Sequence, residues 1–106
     1  GPILESFVYA EIRKQADWHD EACEVYHFRD KDQDEVDLVV ESQSGETIGI
    51  EVKAAATVGP TDFKGLRKLA AASGKDFRLG VVLYDGDRVT PFGERMVAAP
   101  VSILWA

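Results

Sequence analysis

Two alternating segments joined by a short loop constrain this chain more than any other feature. Residues 35–41 read EVDLVVE, and residues 48–53 read IGIEVK. Side chains of a strand alternate between two faces. Val36, Leu38 and Val40 therefore share one face, opposite Glu35, Asp37, Val39 and Glu41. In the second segment Ile48, Ile50 and Val52 oppose Gly49, Glu51 and Lys53. The link Ser42-Gln43-Ser44-Gly45-Glu46 predicts a three-residue hairpin loop with Gly45 in the left-handed third position. That loop sets the register. Asp37 then lies opposite Glu51, Glu35 lies opposite Lys53, and the apolar faces coincide. A slip of one residue would break the agreement.

The flanking sequence supplies the other layers. Residues 3–16 read as a helix with Ile3, Leu4, Phe7, Val8, Ile12 and Ala16 as its stripe. Glu5 and Glu11 fall within or beside that stripe. Residues 24–29 read as a strand, and residues 30–33 as a turn. After Gly59-Pro60, Thr61 or Asp62 caps a second helix running to about Ser73. Its inner face is Phe63, Leu66, Leu69, Ala70 and Ala71 or Ala72, and Gly74 stops it. Phe77–Tyr84 reads as a buried strand. Residues 88–90 make a short strand, and Val101–Trp105 the last one. The expected fold is α/β: an α-β-β-β-α-β core, a mixed sheet flanked by two helices.

Composition bounds the rest. The chain has 106 residues and is 45% hydrophobic, enough for one core and one domain over residues 3–106. No apolar run approaches the ~20 residues of a membrane span. A single cysteine, Cys23, excludes an internal disulfide and a thiolate-rich zinc site. The expected setting is a reducing cytoplasm. Gly1-Pro2 reads as the scar of a cleaved expression tag, and the chain as a fragment of a longer protein. Net charge is −7, unevenly placed. Residues 17–46 carry 11 acids and 2 bases, whereas residues 53–78 carry 6 bases and 2 acids. A phosphate backbone suits the basic segment, while the acidic one faces away or holds a cation. Lys64, Arg67 and Lys68, on the outer part of the second helix, are the candidate phosphate contacts. A solvated face explains them equally well.

The register places Asp37, Glu51 and Lys53 on one sheet face. Opposed carboxylates repel, and a divalent cation relieves the repulsion. Mg²⁺ takes oxygen ligands, often one or two carboxylates with water and substrate phosphate. Lys53, two residues beyond Glu51, reaches the same place and can offset phosphate charge. Glu5 or Glu11 can add a further carboxylate. Such a set suits metal-assisted phosphodiester hydrolysis.

The stretch Asp37 … Glu51-Val52-Lys53, on successive strands after a helix bearing Glu5, resembles the PD-(D/E)XK nuclease superfamily. More locally, several stretches resemble the uncharacterised C-terminal domain of bacterial and archaeal AAA-type ATPases. They are Leu4-Glu5-Ser6-Phe7-Val8 with Glu11-Ile12-Arg13-Lys14, Phe28-Arg29-Asp30, Glu35-Val36-Asp37, Ile50-Glu51-Val52-Lys53-Ala54, Asp62-Phe63-Lys64-Gly65-Leu66 and Leu104-Trp105. The resemblance implies a restriction-endonuclease-like core. It implies Mg²⁺ or Mn²⁺ on Asp37, Glu51 and the Val52 carbonyl, with Lys53 as catalytic lysine and Glu5 as the helix glutamate. Glu35 belongs to the Glu-Val-Asp signature and is expected to pair with Lys53. The implied partners are DNA or RNA and an ATPase domain of the same chain.

Two function classes follow. One is a Mg²⁺- or Mn²⁺-dependent endodeoxyribonuclease. The other is a non-catalytic module that binds nucleic acid or protein and regulates the attached ATPase, with homo-oligomerisation as a further role. Membership of a fold does not decide between them. His27 and Cys23 read as packing or surface residues. The chain carries no Gly-rich phosphate loop for ATP.

Overall fold

A computed structural model describes residues 23–105. The expected 3–16 helix, with Glu5 and Glu11, lies outside the described residues. Six strands form one mixed sheet. They are β1 (Cys23–Arg29), β2 (Glu35–Ser42), β3 (Thr47–Lys53), β4 (Phe77–Tyr84), β5 (Thr90–Pro91) and β6 (Met96–Pro100). Their order across the sheet is β1-β2-β3-β4-β6-β5. β1, β2 and β3 pair antiparallel, β3, β4 and β6 pair parallel, and β5 returns antiparallel to β6. The one α-helix among the described residues, α1 (Lys64–Ser73), crosses between the parallel strands β3 and β4. The chain is thus an α/β domain with a mixed sheet. No helix among the described residues is long and apolar enough to cross a membrane.

The β2–β3 hairpin forms in the expected register. Leu38 pairs with Ile50, Val39 with Gly49, Val40 with Ile48 and Glu41 with Thr47. Gly45 takes φ 91°. Its N–H donates to the Ser42 carbonyl, and Ser42 N–H donates to the Glu46 carbonyl, both at 3.0 Å. A residue with a Cβ at that φ would be strained, so glycine suits the turn.

Helix α1 packs through Phe63, Leu66 and Leu69, which are 0%, 0% and 2% exposed. Ala70 is half-buried, whereas Ala71 and Ala72 face outward. Neither Thr61 nor Asp62 is the N-cap. A 3-10 turn, Pro60–Phe63, precedes the helix, and Gly59 starts it. Asp62 is the third residue of that turn, and its carboxylate reaches back to Gly59 N–H at 2.8 Å. At the far end Gly74 has φ 57°, and its N–H caps the Ala70 carbonyl.

Val36, Val39, Phe63, Leu66, Leu69, Phe77 and Val82 belong to the cluster under α1. Leu38, Ile50, Leu83, Ala99 and Val101 form a second cluster. Val36 and Leu38 therefore part company, against the expected alternation. The cause is a bulge in β2. Tyr26 pairs with Val39 and Phe28 with Val36, so Asp37 and Leu38 together oppose His27.

The last strand also differs from expectation. Val101–Trp105 is a 3-10 helix, and the strand is Met96–Pro100 before it. Ala98 and Ala99 have weak strand propensity, which hides the strand in the sequence. They are nonetheless buried beside β4, with Ala98 paired to Val82 and Ala99 to Leu83. Pro100 is its last residue and has no N–H to extend the ladder. The short strand expected at residues 88–90 sits two residues later, at Thr90–Pro91.

Gly65, in the first turn of α1, lies against the start of β2. A Cβ there would overlap the Glu35 carbonyl oxygen, which is backbone and cannot swing aside. Gly59 has nothing within 4 Å of such a Cβ. Gly65→Ala is therefore expected to destabilise the fold by about 1–3 kcal/mol. Gly59→Ala should stay within about 0.5 kcal/mol of wild type. Chemical denaturation of both variants checks the contrast.

Candidate functional site: two carboxylates at the open end of a hairpin

At the end of the hairpin away from Gly45, the regular ladder stops at Leu38–Ile50. Beyond it, side chains replace main-chain partners. Asp37 N–H donates to Glu51 Oε1 at 2.7 Å, and Val52 N–H donates to Asp37 Oδ2 at 2.9 Å. The bulge at Asp37–Leu38 opposite His27 re-aims the chain at this point. Asp37 and Glu51 are thereby brought together, as the register predicts, by crossed bonds from each carboxylate to the opposite strand. Both residues are half-buried.

The donor set fits a hard divalent cation. A strand residue directs its N–H and C=O toward the same neighbouring strand. Val52 sends its N–H toward Asp37, so its carbonyl faces the same side. Two carboxylates and a main-chain carbonyl are all oxygen donors, the kind that suits Mg²⁺ or Mn²⁺. The third carboxylate expected from Glu5 or Glu11 lies outside the described residues.

Lys53 lies on the same face of β3 as Glu51, but its ammonium goes elsewhere. Nζ bonds Asp62 Oδ2 at 2.7 Å. The same oxygen accepts Gly59 N–H. That main-chain bond first, and the Lys53 ammonium second, hold the Asp62 carboxyl below the usual aspartate range, against its partial desolvation. The expected Glu35–Lys53 pair does not form. Glu35 instead accepts Arg29 Nε at 2.7 Å, with His27 Nε2 3.7 Å away. Past the bulge Arg29 pairs directly with Glu35, so its guanidinium is the nearer cation. The Arg29 hydrogen bond and charge keep the Glu35 carboxyl low.

The three expected phosphate contacts have partners within the fold. Lys68 reaches into the β1–β2 turn, 3.0 Å from Asp32 Oδ2, 3.4 Å from Asp30 Oδ2 and 3.6 Å from Asp34 Oδ2. Lys64 lies 3.7 Å from Asp34 Oδ1. Arg67 donates to the Pro60 carbonyl at 2.9 Å and lies over the Phe63 ring. The carboxylates of Asp30, Asp32 and Asp34 are close enough together to hold one ion. Two lysine ammoniums reach them, Lys64 at Asp34 and Lys68 at all three, and the Lys68 pKa is raised by hydrogen bonds to Asp32 and Asp30. Asp30 Oδ1 also accepts the N–H groups of Asp32 and Asp34, each at 2.9 Å. Sequence reading assigned Asp62 only a capping role and missed it as the Lys53 partner. Its spacing of nine residues from Lys53 is set by a loop whose path no local pattern reveals.

The described residues form an α/β fold with a mixed six-stranded sheet. The chain matches, over residues 1–104, the family described as "Domain of unknown function (DUF4143)". It belongs to that family. No curated protein and no solved structure matches it.

Each carboxylate of the pair caps a main-chain N–H, so its loss leaves a half-buried donor unpaired. Asp37→Ala and Glu51→Ala are expected to destabilise the metal-free protein by about 1–3 kcal/mol each. Asp37→Asn and Glu51→Gln keep an acceptor oxygen and should cost less. Urea denaturation in chelator distinguishes this from bare, mutually repelling carboxylates, whose removal would stabilise. A pH series tests Asp62. Its folded pKa lies below the unfolded one, so its contribution is complete above about pH 4 and fades as acid protonates the folded carboxylate. The stability gap between wild type and Asp62→Asn should therefore be present at neutral pH and shrink below about pH 4.

Proposed function

We propose that this domain is a PD-(D/E)XK-like, metal-dependent nuclease domain that hydrolyses phosphodiester bonds in DNA and serves an ATPase attached in the same chain. One observation carries the reading: Asp37, Glu51 and the Val52 main chain converge where β2 and β3 part. In this reading Asp37, Glu51 and the Val52 carbonyl hold Mg²⁺ or Mn²⁺. The ion, when bound, polarises the phosphate and lowers the pKa of water. The bulge fixes Asp37 relative to Glu51, so the two ligands need little rearrangement to share a cation. Lys53, two residues beyond Glu51, supplies positive charge that offsets the negative charge a phosphate gathers as it is attacked. Glu5 is the further carboxylate that the resemblance assigns.

A second reading has its own support. Lys53, Lys64, Lys68 and Arg78 are each paired with a carboxylate inside the fold. The basic segment thus offers less uncompensated charge to a phosphate backbone than its composition indicates. A non-catalytic module that regulates the ATPase through a protein partner or weak nucleic-acid contact fits that arrangement.

Calorimetry with Mn²⁺ on wild type, Asp37→Asn and Glu51→Gln comes first. The nuclease reading expects wild type to bind and each substitution to weaken binding by about tenfold or more. Branched and linear DNA should then be cut only with Mg²⁺ or Mn²⁺ present. Absence of binding at millimolar Mn²⁺, with or without DNA, transfers the assignment to the binding module.

A further inference from the structure

Among the described residues, the shortest lysine–carboxylate contact is Lys53 Nζ to Asp62 Oδ2, at 2.7 Å. It bridges the loop of residues 54–61, AAATVGPT, which carries no charged side chain. The loop is held without it. Asp85 N–H donates to the Ala55 carbonyl at 2.9 Å, and Asp62 N–H to the Gly59 carbonyl at 3.0 Å. Arg67 donates to the Pro60 carbonyl at 2.9 Å. Phe63, fully buried, stacks on Phe92 with ring centroids 4.8 Å apart. Gly59 N–H does need an acceptor from residue 62, but a neutral amide oxygen serves it. The turn therefore does not require the negative charge of Asp62. Lys53 is where that charge acts.

The two partners differ in freedom. Asp62 Oδ2 is fixed by Gly59 N–H at 2.8 Å. Lys53 is the last residue of β3 and reaches it through a flexible four-carbon stem. Its side chain is 36% exposed and that of Asp62 24%, so the pair is partly shielded yet open to an arriving anion. A phosphodiester carries the same charge as a carboxylate and accepts the same ammonium. A phosphate coming freely from solution must be ordered while it displaces a carboxylate that is already ordered. Asp62 holds the lysine against it. A phosphate already seated by other contacts has no such handicap, and the long lysine stem is the part that can move.

We propose that the Lys53–Asp62 pair is an autoinhibitory contact: Asp62 occupies the ammonium that a substrate phosphate takes, and releases Lys53 only to a phosphate seated at the site. This rests on the reading of Lys53 as a phosphate contact given above. It makes Asp62 a negative determinant of nucleic-acid affinity, since casual phosphate contact leaves the pair closed.

A short fluorescent DNA duplex, titrated in chelator over a salt series, tests this on wild type, Asp62→Asn, Lys53→Met and the double variant. Asp62→Asn keeps an oxygen for Gly59 N–H and removes the charge. It should bind roughly three- to fivefold tighter than wild type, with a salt slope steeper by about one. In the Lys53→Met background the same substitution should gain nothing. The contact is overturned if Asp62→Asn binds no tighter. It is equally overturned if the gain persists without Lys53, which marks a general charge effect. Wild type gives an independent readout. Zero-length carbodiimide should link Lys53 to Asp62 in the free protein, and saturating DNA should suppress the link. A link undiminished by bound DNA overturns the proposal. Cleavage with Mn²⁺ separates the two readings. Cutting by wild type with no gain in Asp62→Asn rejects the contact and keeps the nuclease. A Lys53-dependent gain with no cutting by either protein keeps the contact and rejects the nuclease.

Discussion

The turn at Ser42–Glu46 determines which side chains can meet at the far end of the β2–β3 hairpin. With Gly45 left-handed and Ser42 bonded to Glu46, only one register is available. Leu38 must then face Ile50, and the next residues outward are Asp37 and Glu51. A one-residue slip would send Val39 to the wrong face, away from Leu66 and Leu69. The core and the carboxylate pair thus depend on the same few hydrogen bonds. Gly49 reinforces the coupling. A Cβ there would come within 2.6 Å of Leu66 and Leu69 side chains, so α1 sits directly on the strand that carries Glu51.

Charge follows a similar logic of mutual constraint. The acidic and basic stretches look in the sequence like two separate faces. In the fold three bases of the second stretch, Lys64, Lys68 and Arg78, pair with acids of the first. The β1–β2 turn is clasped by Lys68 and Lys64 from α1, and Glu46 takes Arg78 from β4 at 2.7 Å. These pairs are solvent-exposed, so each contributes little to stability. Their larger effect is on the surface field, which no longer has the strong positive stripe implied by residues 53–78.

The hairpin was legible because its information is local: alternation, a five-residue link and a glycine. The bulge was not, since it is a count of two residues against one across a strand pair. Nothing in EVDLVVE marks where β1 will place His27. Yet the bulge moves Val36 to the α1 side and re-aims Asp37. The pairing of Asp37 with Glu51 was thus anticipated, while its means, crossed carboxylate-to-backbone bonds, was not. The last strand failed for a different reason. Met96–Pro100 is strand because β4 offers a parallel edge, and VSILW, though richer in strand formers, follows a proline that ends the ladder. Lys53 was matched to Glu35 by register alone. Arg29 and Asp62 lie nearer to those two groups in space, and ion pairing follows distance.

Two lysine–carboxylate arrangements in one small domain bear on what the open hairpin end is for. Carboxylates brought together need a compensating charge, from a side chain or from an ion. At the β1–β2 turn Lys68 and Lys64 supply part of it. At Asp37 and Glu51, Lys53 from the same strand face bonds the separate Asp62, and main-chain N–H groups cap one oxygen of each carboxylate. Lys53 thus belongs with the loop before α1 rather than with the hairpin end, and the two carboxylates there are held by the backbone of the opposite strand.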